Sequence, residues 1–172
     1  MIYFQNEKLL IRPIKTQDAD DLAGGFQRQG WHKERALFLS YFDMQEKGVR
    51  EVFVAEADGH AVGYTTLARL AAEGPFQGKF PEIVDFNVLI PWQNRGIGSQ
   101  ILNAAENAAK AFSGTVTLGV GLHNGYGSAQ RMYVKRGYIP DGSGVWYRDK
   151  PLGQYAPCVN DDDLVLYFSK SL

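Results

Sequence analysis

The stretch Val88-Leu89-Ile90-Pro91-Trp92-Gln93-Asn94-Arg95-Gly96-Ile97-Gly98-Ser99 decides how this chain is read. An apolar, strand-like run from Ile83 to Ile90 leads into a polar turn spelled Gln-x-x-Gly-x-Gly. A helical pattern follows at once. Ile97, Ile101, Ala104, Ala108 and Phe112 recur three or four apart and predict one apolar face. The N–H groups that open a helix have no partners inside it, and the helix dipole places partial positive charge there. Two glycines at that point let the backbone approach a bulky anion and take dihedrals a side chain would forbid. Strand, loop and helix together predict a seat for a pyrophosphate.

Spacing decides whose pyrophosphate. A P-loop requires a lysine after its last glycine, and here Gly98 is followed by Ser99 and Gln100. A dinucleotide fold requires a third glycine and an acid near the end of the next strand. That strand, Thr115 to Gly121, runs instead into Leu122-His123-Asn124. The remaining pattern, Gln93-x-x-Gly96-x-Gly98, resembles the acetyl-CoA loop of the GNAT superfamily of N-acetyltransferases. Downstream, Asn124 to Tyr138 resembles the family's second signature, an asparagine after a strand and then Ala-x-x-Leu-Tyr-x-x-x-Gly-Phe/Tyr. Here it reads Ala129-Gln130-Arg131-Met132-Tyr133, with Gly137-Tyr138 following. Met132 replaces the usual leucine, and the gap from Asn124 to Ala129 is two residues longer than the commonest spelling. Leu10-Ile11-Arg12-Pro13-Ile14, with Asp18 and Asp20, is similar to the family's first strand and first helix start.

The resemblance spans nearly the whole chain and carries expectations. The fold is α/β (an α+β sandwich), a mixed, mostly antiparallel central sheet flanked by helices, with strands four and five splayed around acetyl-CoA. Acetyl-CoA is the co-substrate and no metal is expected. Main-chain amides from about Asn94 through Arg95, Gly96, Ile97 and Gly98 to Ser99 hold the pyrophosphate, and Gln93 belongs to the same cofactor loop. Pantetheine lies beside Val88 and Ile90, and Asn124 and Ser128 complete the cofactor set. Tyr133 takes the place of the family's acid for the leaving thiolate, and a backbone N–H around Phe86 to Val88 that of the donor to the thioester carbonyl. The acceptor is a small-molecule or peptide amine, and a homodimer is left open.

Chemistry explains why such roles are needed. A primary ammonium in water ionises with a pKa of ~10, so the nucleophilic amine is a minor species at neutral pH. A carboxylate or water chain that takes a proton therefore helps attack. The thioester carbonyl gains negative charge and needs a preset donor. Glu82 and Asp85 are the candidate bases. Glu82 precedes Gln93 by eleven residues, the spacing of the strand-four glutamate in protein-acetylating members of the family. Asp85 lies deeper in an apolar run, where an unpaired carboxylate is costly, so a structural partner such as an arginine is an equal reading. An odd separation puts the two on opposite faces of a regular strand unless a bulge intervenes. Tyr133 without the family would be a packing tyrosine, and Asn124 could simply end strand five. A non-catalytic acyl-CoA sensor on the same fold is the alternative function.

Composition sets the remaining bounds. A chain of 172 residues with 45% hydrophobic content predicts one domain, 1–172, with a real core. A formal charge of −1 gives no basic surplus for nucleic acid. One cysteine, Cys158, excludes an intramolecular disulfide. The N-terminus has no apolar stretch of signal-peptide length, and no run approaches the ~18 apolar residues of a membrane span, so a cytoplasmic protein without a membrane partner is expected. His32, His60 and His123 show no metal-ligand spacing. Asp161-Asp162-Asp163 lacks the glycine and glutamate of a calcium loop.

The elements predicted are strands near 9–14, 50–57, 62–70, 82–90, 115–121, 138–148 and 164–169. The predicted helices run from Thr16 or Asp18 to Arg28, over 33–47, from the phosphate turn to Ser113, and over 128–136. Asp58-Gly59 predicts a hairpin turn and 71–80 a long loop. Segments 26–47, 71–81 and 149–160 are those in which family members differ, and they are expected to shape the acceptor pocket. Trp31, Phe38, Tyr41, Phe42, Phe76 and Phe80 are the aromatic candidates for its lining, although most aromatics are core.

Overall fold

The computed structural model describes all residues, 1–172. They form two compact units, Met1–Ala68 with Ile83–Ala111, and Arg69–Glu82 with Phe112–Leu172.

In the first unit, strands β1 (Phe4–Gln5), β2 (Leu10–Pro13), β3 (Arg50–Ala57), β4 (His60–Ala68) and β5 (Glu82–Val88) lie side by side in that order. Pairing from β1 to β4 is antiparallel. β5 opposes β4: the Leu89 N–H donates to Val62 O (2.9 Å), and the Thr66 hydroxyl donates to Val84 O (3.0 Å). The β3–β4 turn is Asp58-Gly59 as expected, with φ of +51° and +80°, the pair of left-handed residues a two-residue hairpin requires. Helices α1 (Asp18–Arg28) and α2 (Arg35–Glu46) bury Leu22, Phe26, Phe38 and Tyr41 against Val52, Val54 and Tyr64. Helix α3 (Ile97–Lys110) covers the other face, where Ile101 reaches Gly63, the neighbour of Tyr64 in β4.

The Arg12-to-Asp18 pattern has a structural cause. The Arg12 guanidinium, buried, forks onto both Asp18 oxygens (2.7 and 2.8 Å), and its Nε donates to Glu56 (2.7 Å). A bidentate charge-assisted pair of this kind fixes the start of α1 to the end of β2. Asp18 also accepts the Lys15 N–H (2.7 Å), and Gln17 occupies the N-cap position, so neither Thr16 nor Asp18 caps the helix in the ordinary way.

Two boundaries differ from the sequence reading. β5 stops at Val88, and a 3₁₀ turn, Ile90–Trp92, takes the residues after Leu89 because Pro91 has no N–H for a ladder. Helix α3 ends at Lys110. Its buried side includes Leu102, Ala105 and Ala109 beside Ile97, Ile101 and Ala104. Ala108 is only half-buried, so the apolar face is rotated from the predicted stripe.

In the second unit, β6 (Thr115–Gly121), β9 (Leu164–Ser171), β7 (Ile139–Tyr147) and β8 (Lys150–Pro151) lie side by side in that order, all antiparallel. Glu82 pairs in parallel with Thr117 of β6, and the Thr117 N–H and hydroxyl both donate to Pro81 O (2.9 Å each). A 3₁₀ turn, Asn124–Tyr126, leads into α4 (Gly127–Lys135), whose C-cap Arg136 is followed by Gly137 with φ +88°. The His123 ring caps the 3₁₀ turn by accepting the Gly125 N–H (3.0 Å). The 71–80 loop is tied internally by Gly78 N–H to Ala71 O and Ala71 N–H to Phe80 O. Phe112 belongs to this unit, lies past the end of α3 and stacks under the Arg69 guanidinium at 4.8 Å. Cys158 is exposed. No helix is long and apolar enough to cross a membrane.

Candidate active site

The turn between β5 and α3 is built from backbone. Gly96 is the N-cap residue of α3 with φ +80°, a left-handed conformation that glycine adopts most readily and Asn and Asp next, and Asn94 before it has φ +60°. No side chain caps the helix and no acid lies in its first turn, so the amides of Ile97, Gly98 and Ser99 face outward uncapped. Gly98 serves a different need. A Cβ there would stand 3.0 Å from the Phe86 ring, so glycine lets the helix start close against β5. Gln93 donates from Nε2 to Val88 O (2.9 Å), which fastens the turn to the strand end. Arg95 stacks on Trp92 at 4.9 Å and makes no ion pair. Residues 93–96 are largely exposed, as is Ile90, while Val88 is half-buried. The arrangement can receive a polyanion on main-chain donors, with the helix dipole and Arg95 supplying positive potential.

Asp85, three residues into β5, has φ +54°, which breaks the regular alternation of the strand. A left-handed residue costs about 1–2 kcal/mol, least for Asp and Asn. What holds it is a ring of donors. Oδ1 accepts from Lys33 Nζ and from Asn87 Nδ2 (2.9 Å). Oδ2 accepts from the hydroxyls of Tyr64 (2.6 Å) and Tyr41 (2.9 Å). Lys33 also reaches Tyr64 Oη (3.0 Å), and its ammonium stands 5.5 Å above the Phe26 ring. Burial raises the pKa of both tyrosines, and the Asp85 charge raises them further. They therefore stay protonated donors. The partner of Asp85 is thus a lysine with two tyrosines and an asparagine, in place of the arginine suggested by the sequence.

In the second unit, Tyr133 is buried in α4 with its ring edge-on to Tyr138 (5.7 Å), and burial raises its pKa. Asn124 lies in the 3₁₀ turn and Ser128 in the first turn of α4, both exposed to solvent. Glu82 is buried at its pairing with Thr117, and its charge is among those that raise the Tyr167 pKa, after burial and Glu73.

The sequence model of the Acetyltransferase (GNAT) family matches residues 17–138, well over half of the chain. The chain belongs to the GNAT acetyltransferase family. No curated protein matches it significantly in sequence. Solved structures resemble it in fold along nearly its whole length. An N-acetyltransferase from Staphylococcus aureus Mu50 superposes with a TM-score of 0.72 at 15% identity, covering 96% of this chain and 99% of that one. An acetyltransferase from Salmonella typhimurium that modifies the N-terminal serine of ribosomal protein L7/L12 gives 0.71 at 13% identity, covering 100% and 99%. The yncA protein of Salmonella typhimurium, solved with its cofactor acetyl-CoA, gives 0.69 at 15% identity, covering 96% and 94%. At such identities the likeness concerns the fold. That fold, mixed α/β with mostly antiparallel strands and four helices, is the GNAT fold.

The groups around Asp85 are the part of this GNAT site that sequence reasoning does not assemble. Tyr41 stands only among the aromatic candidates, Tyr64 lies in a strand with no motif, and Lys33 reads as a helix start. The one available signal is the acid itself. A carboxylate inside an apolar strand demands partners. Which of 18 lysines and arginines answers that demand is not written in any spacing.

Proposed function

We propose that this GNAT enzyme transfers the acetyl group of acetyl-CoA to a primary amine by direct attack in a ternary complex. The observation that carries the reading is the start of α3, where uncapped amides stand behind a left-handed Gly96 with no acid nearby. In this reading the amides from Asn94 to Ser99 hold the pyrophosphate, with Arg95 beside it. Gln93 keeps the turn on Val88. Val88 and Ile90 flank pantetheine, and Asn124 and Ser128 are further cofactor-binding candidates. The family match runs through both compact units, which supports their acting as one N-acetyltransferase domain. The acceptor is a small-molecule or protein amine. The L7/L12-modifying enzyme, a structural neighbour, acts on a protein N-terminus.

Acetyl-CoA supplies the thioester, and the chain's residues supply positioning and protons. A backbone N–H in Phe86–Val88 faces the carbonyl oxygen. Tyr133 donates a hydrogen bond to the departing sulfur. Burial raises its pKa and so keeps the donor protonated, and any proton it passes to the sulfur is balanced by the one the attacking amine gives up. Glu82 accepts the amine's proton through a water. Asp85 suits that role less, because each of its oxygens already accepts two donors.

Thiol release from acetyl-CoA across a panel of amines tests the reading. Tight acetyl-CoA binding with no release for any amine would instead indicate an acyl-CoA sensor. Tyr133→Phe is expected to lower kcat about tenfold with little change in acetyl-CoA affinity. Unchanged kcat, measured where chemistry limits, returns Tyr133 to packing. Glu82→Gln should lower the rate and erase the acid-side ionisation from the pH profile of kcat. If that ionisation disappears in Asp85→Asn instead, the two carboxylates exchange roles.

A further inference from the structure

The Asp85 ring has the composition of a receptor for a primary ammonium. Lys33 Nζ meets one carboxylate oxygen and one phenolic oxygen, and it lies 5.5 Å and 5.7 Å from the centroids of the Phe26 and Tyr64 rings. Carboxylate, hydroxyl and aromatic faces are together selective for a cation that is also a donor. The receptor side is held independently of its occupant. Tyr41, Tyr64 and Asn87 fix the carboxylate. The rings of Phe26, Phe38 and Tyr64 lock edge to face, at 6.2 Å for Phe26–Tyr64 and 5.3 Å for Phe38–Tyr64. These groups stand on α1, α2, β4 and β5.

The occupant is held far less firmly. Lys33 lies in the short link between α1 and α2, where no backbone N–H of His32, Lys33 or Glu34 donates to another backbone group. Its side chain is 25% exposed, more open than that of Asp85 at 15%. The ring also adjoins the cofactor turn in sequence and in space, since Phe86, next to Asp85, packs on Gly98 at the start of α3.

We infer that the ring of Phe26, Tyr41, Tyr64 and Asp85 binds the ammonium of the acceptor, and that Lys33 fills it as a built-in stand-in which the acceptor displaces. The stand-in is an unbranched alkylammonium. The acceptor class is therefore the unbranched primary alkylamine, a lysine side chain or an aliphatic diamine, and not an α-amine with a substituent on the adjoining carbon. Only the step after binding rests on the acetyl-transfer reading. A tethered competitor acts at a high effective concentration, and affinity is reduced by the fraction of molecules in which the ring is free.

Calorimetry without acetyl-CoA tests this on the full chain, with n-butylamine, cadaverine, Nα-acetyllysine amide and a serine-initiated peptide as probes. Lys33→Ala and Lys33→Met, the second keeping the stem, are expected to bind the three alkylamines about tenfold or more tighter than wild type. Their Tm should rise on adding amine. Adding Asp85→Asn to either should abolish the gain, and the serine peptide should show none. Cadaverine binding without Nα-acetyllysine amide binding assigns the site to free diamines, and the converse to protein lysines. Equal or weaker binding of all three amines in both Lys33 variants overturns the inference and leaves Lys33 as a clamp on the α1–α2 link. Should the gain appear while no amine releases thiol, the receptor stands and the transferase reading fails. Thiol release with no gain in the Lys33 variants has the opposite meaning.

Discussion

Residues 93–99 and the groups around Asp85 both flank β5, yet they are made of different material. The turn is a contiguous run of largely exposed residues whose working groups are main-chain amides, set by the dihedrals of Asn94 and Gly96. The Asp85 ring draws side chains from α1, the α1–α2 link, α2, β4 and β5, and its charges are largely withdrawn from water. A backbone site tolerates change in most of its side chains and fails when a dihedral or a charge is wrong. A side-chain site loses stability when a partner is removed and not replaced, because the others are left buried and unmatched. The first kind sets ligand affinity at little cost in folding. The second ties affinity to stability.

The largest effect should come from Gly96→Asp. A Cβ at Gly96 meets nothing within 4 Å, and Asp is among the residues that best tolerate a left-handed φ, so the fold should survive with a loss near ~1 kcal/mol. The new carboxylate would stand against the phosphates at the dipole's positive end. We expect acetyl-CoA affinity to fall about a hundredfold by calorimetry, equivalent to about 3 kcal/mol. An unchanged affinity in a folded variant would remove the turn from the cofactor site and break the contrast at its first term.

The same contrast governs what the sequence discloses. The turn is legible because its working parts are consecutive: a strand, two glycines at fixed spacing and a helix period lie in order along the chain. Strand β6, the Asp58-Gly59 turn and the stop at Gly137 are legible for the same reason, as local patterns with local causes. The 3₁₀ turn at Ile90–Trp92 has a local cause too, in Pro91, but the apolar run masks it. The rotated face of α3 escapes because Ala104, Ala105, Ala108 and Ala109 offer nearly equal hydrophobicity, so a stripe drawn through them has no sharp edge. The ring around Asp85 is out of reach. Lys33 and Asp85 are separated by 52 positions, and only the packing of α1 and α2 on β4 brings them together.

Asp85→Asn tests the second half of the contrast. It keeps shape and removes the charge that Lys33 faces. The side chains are 15% and 25% exposed, so the loss belongs toward the low side of buried ion pairs, about 2 kcal/mol by urea unfolding. Acetyl-CoA affinity should stay near wild type, the mirror image of Gly96→Asp. A variant as stable as wild type would show that the ring contributes nothing net to folding and that the two regions differ only in composition.

The smallest effect lies in the alkaline range and concerns Tyr41 and Tyr64. Both have raised pKa values, first from burial and then from the Asp85 charge. Unfolded tyrosines ionise near pH ~10, so above that the unfolded chain releases protons that the folded ring retains. The unfolded state then binds fewer protons, and stability falls as pH rises. Below pH ~10 the contribution is complete and stability should be flat with respect to these two groups. In Asp85→Asn the charge contribution disappears while burial remains. The last phenolate absorbance to develop should therefore shift to lower pH by only part of its displacement, and the alkaline slope of unfolding free energy should become shallower. If all nine tyrosines of the wild type titrate together near the unfolded value with the fold intact, the hydroxyls are not held as donors on Asp85. The ring would then lack the preorganised carboxylate on which its selectivity for an ammonium depends.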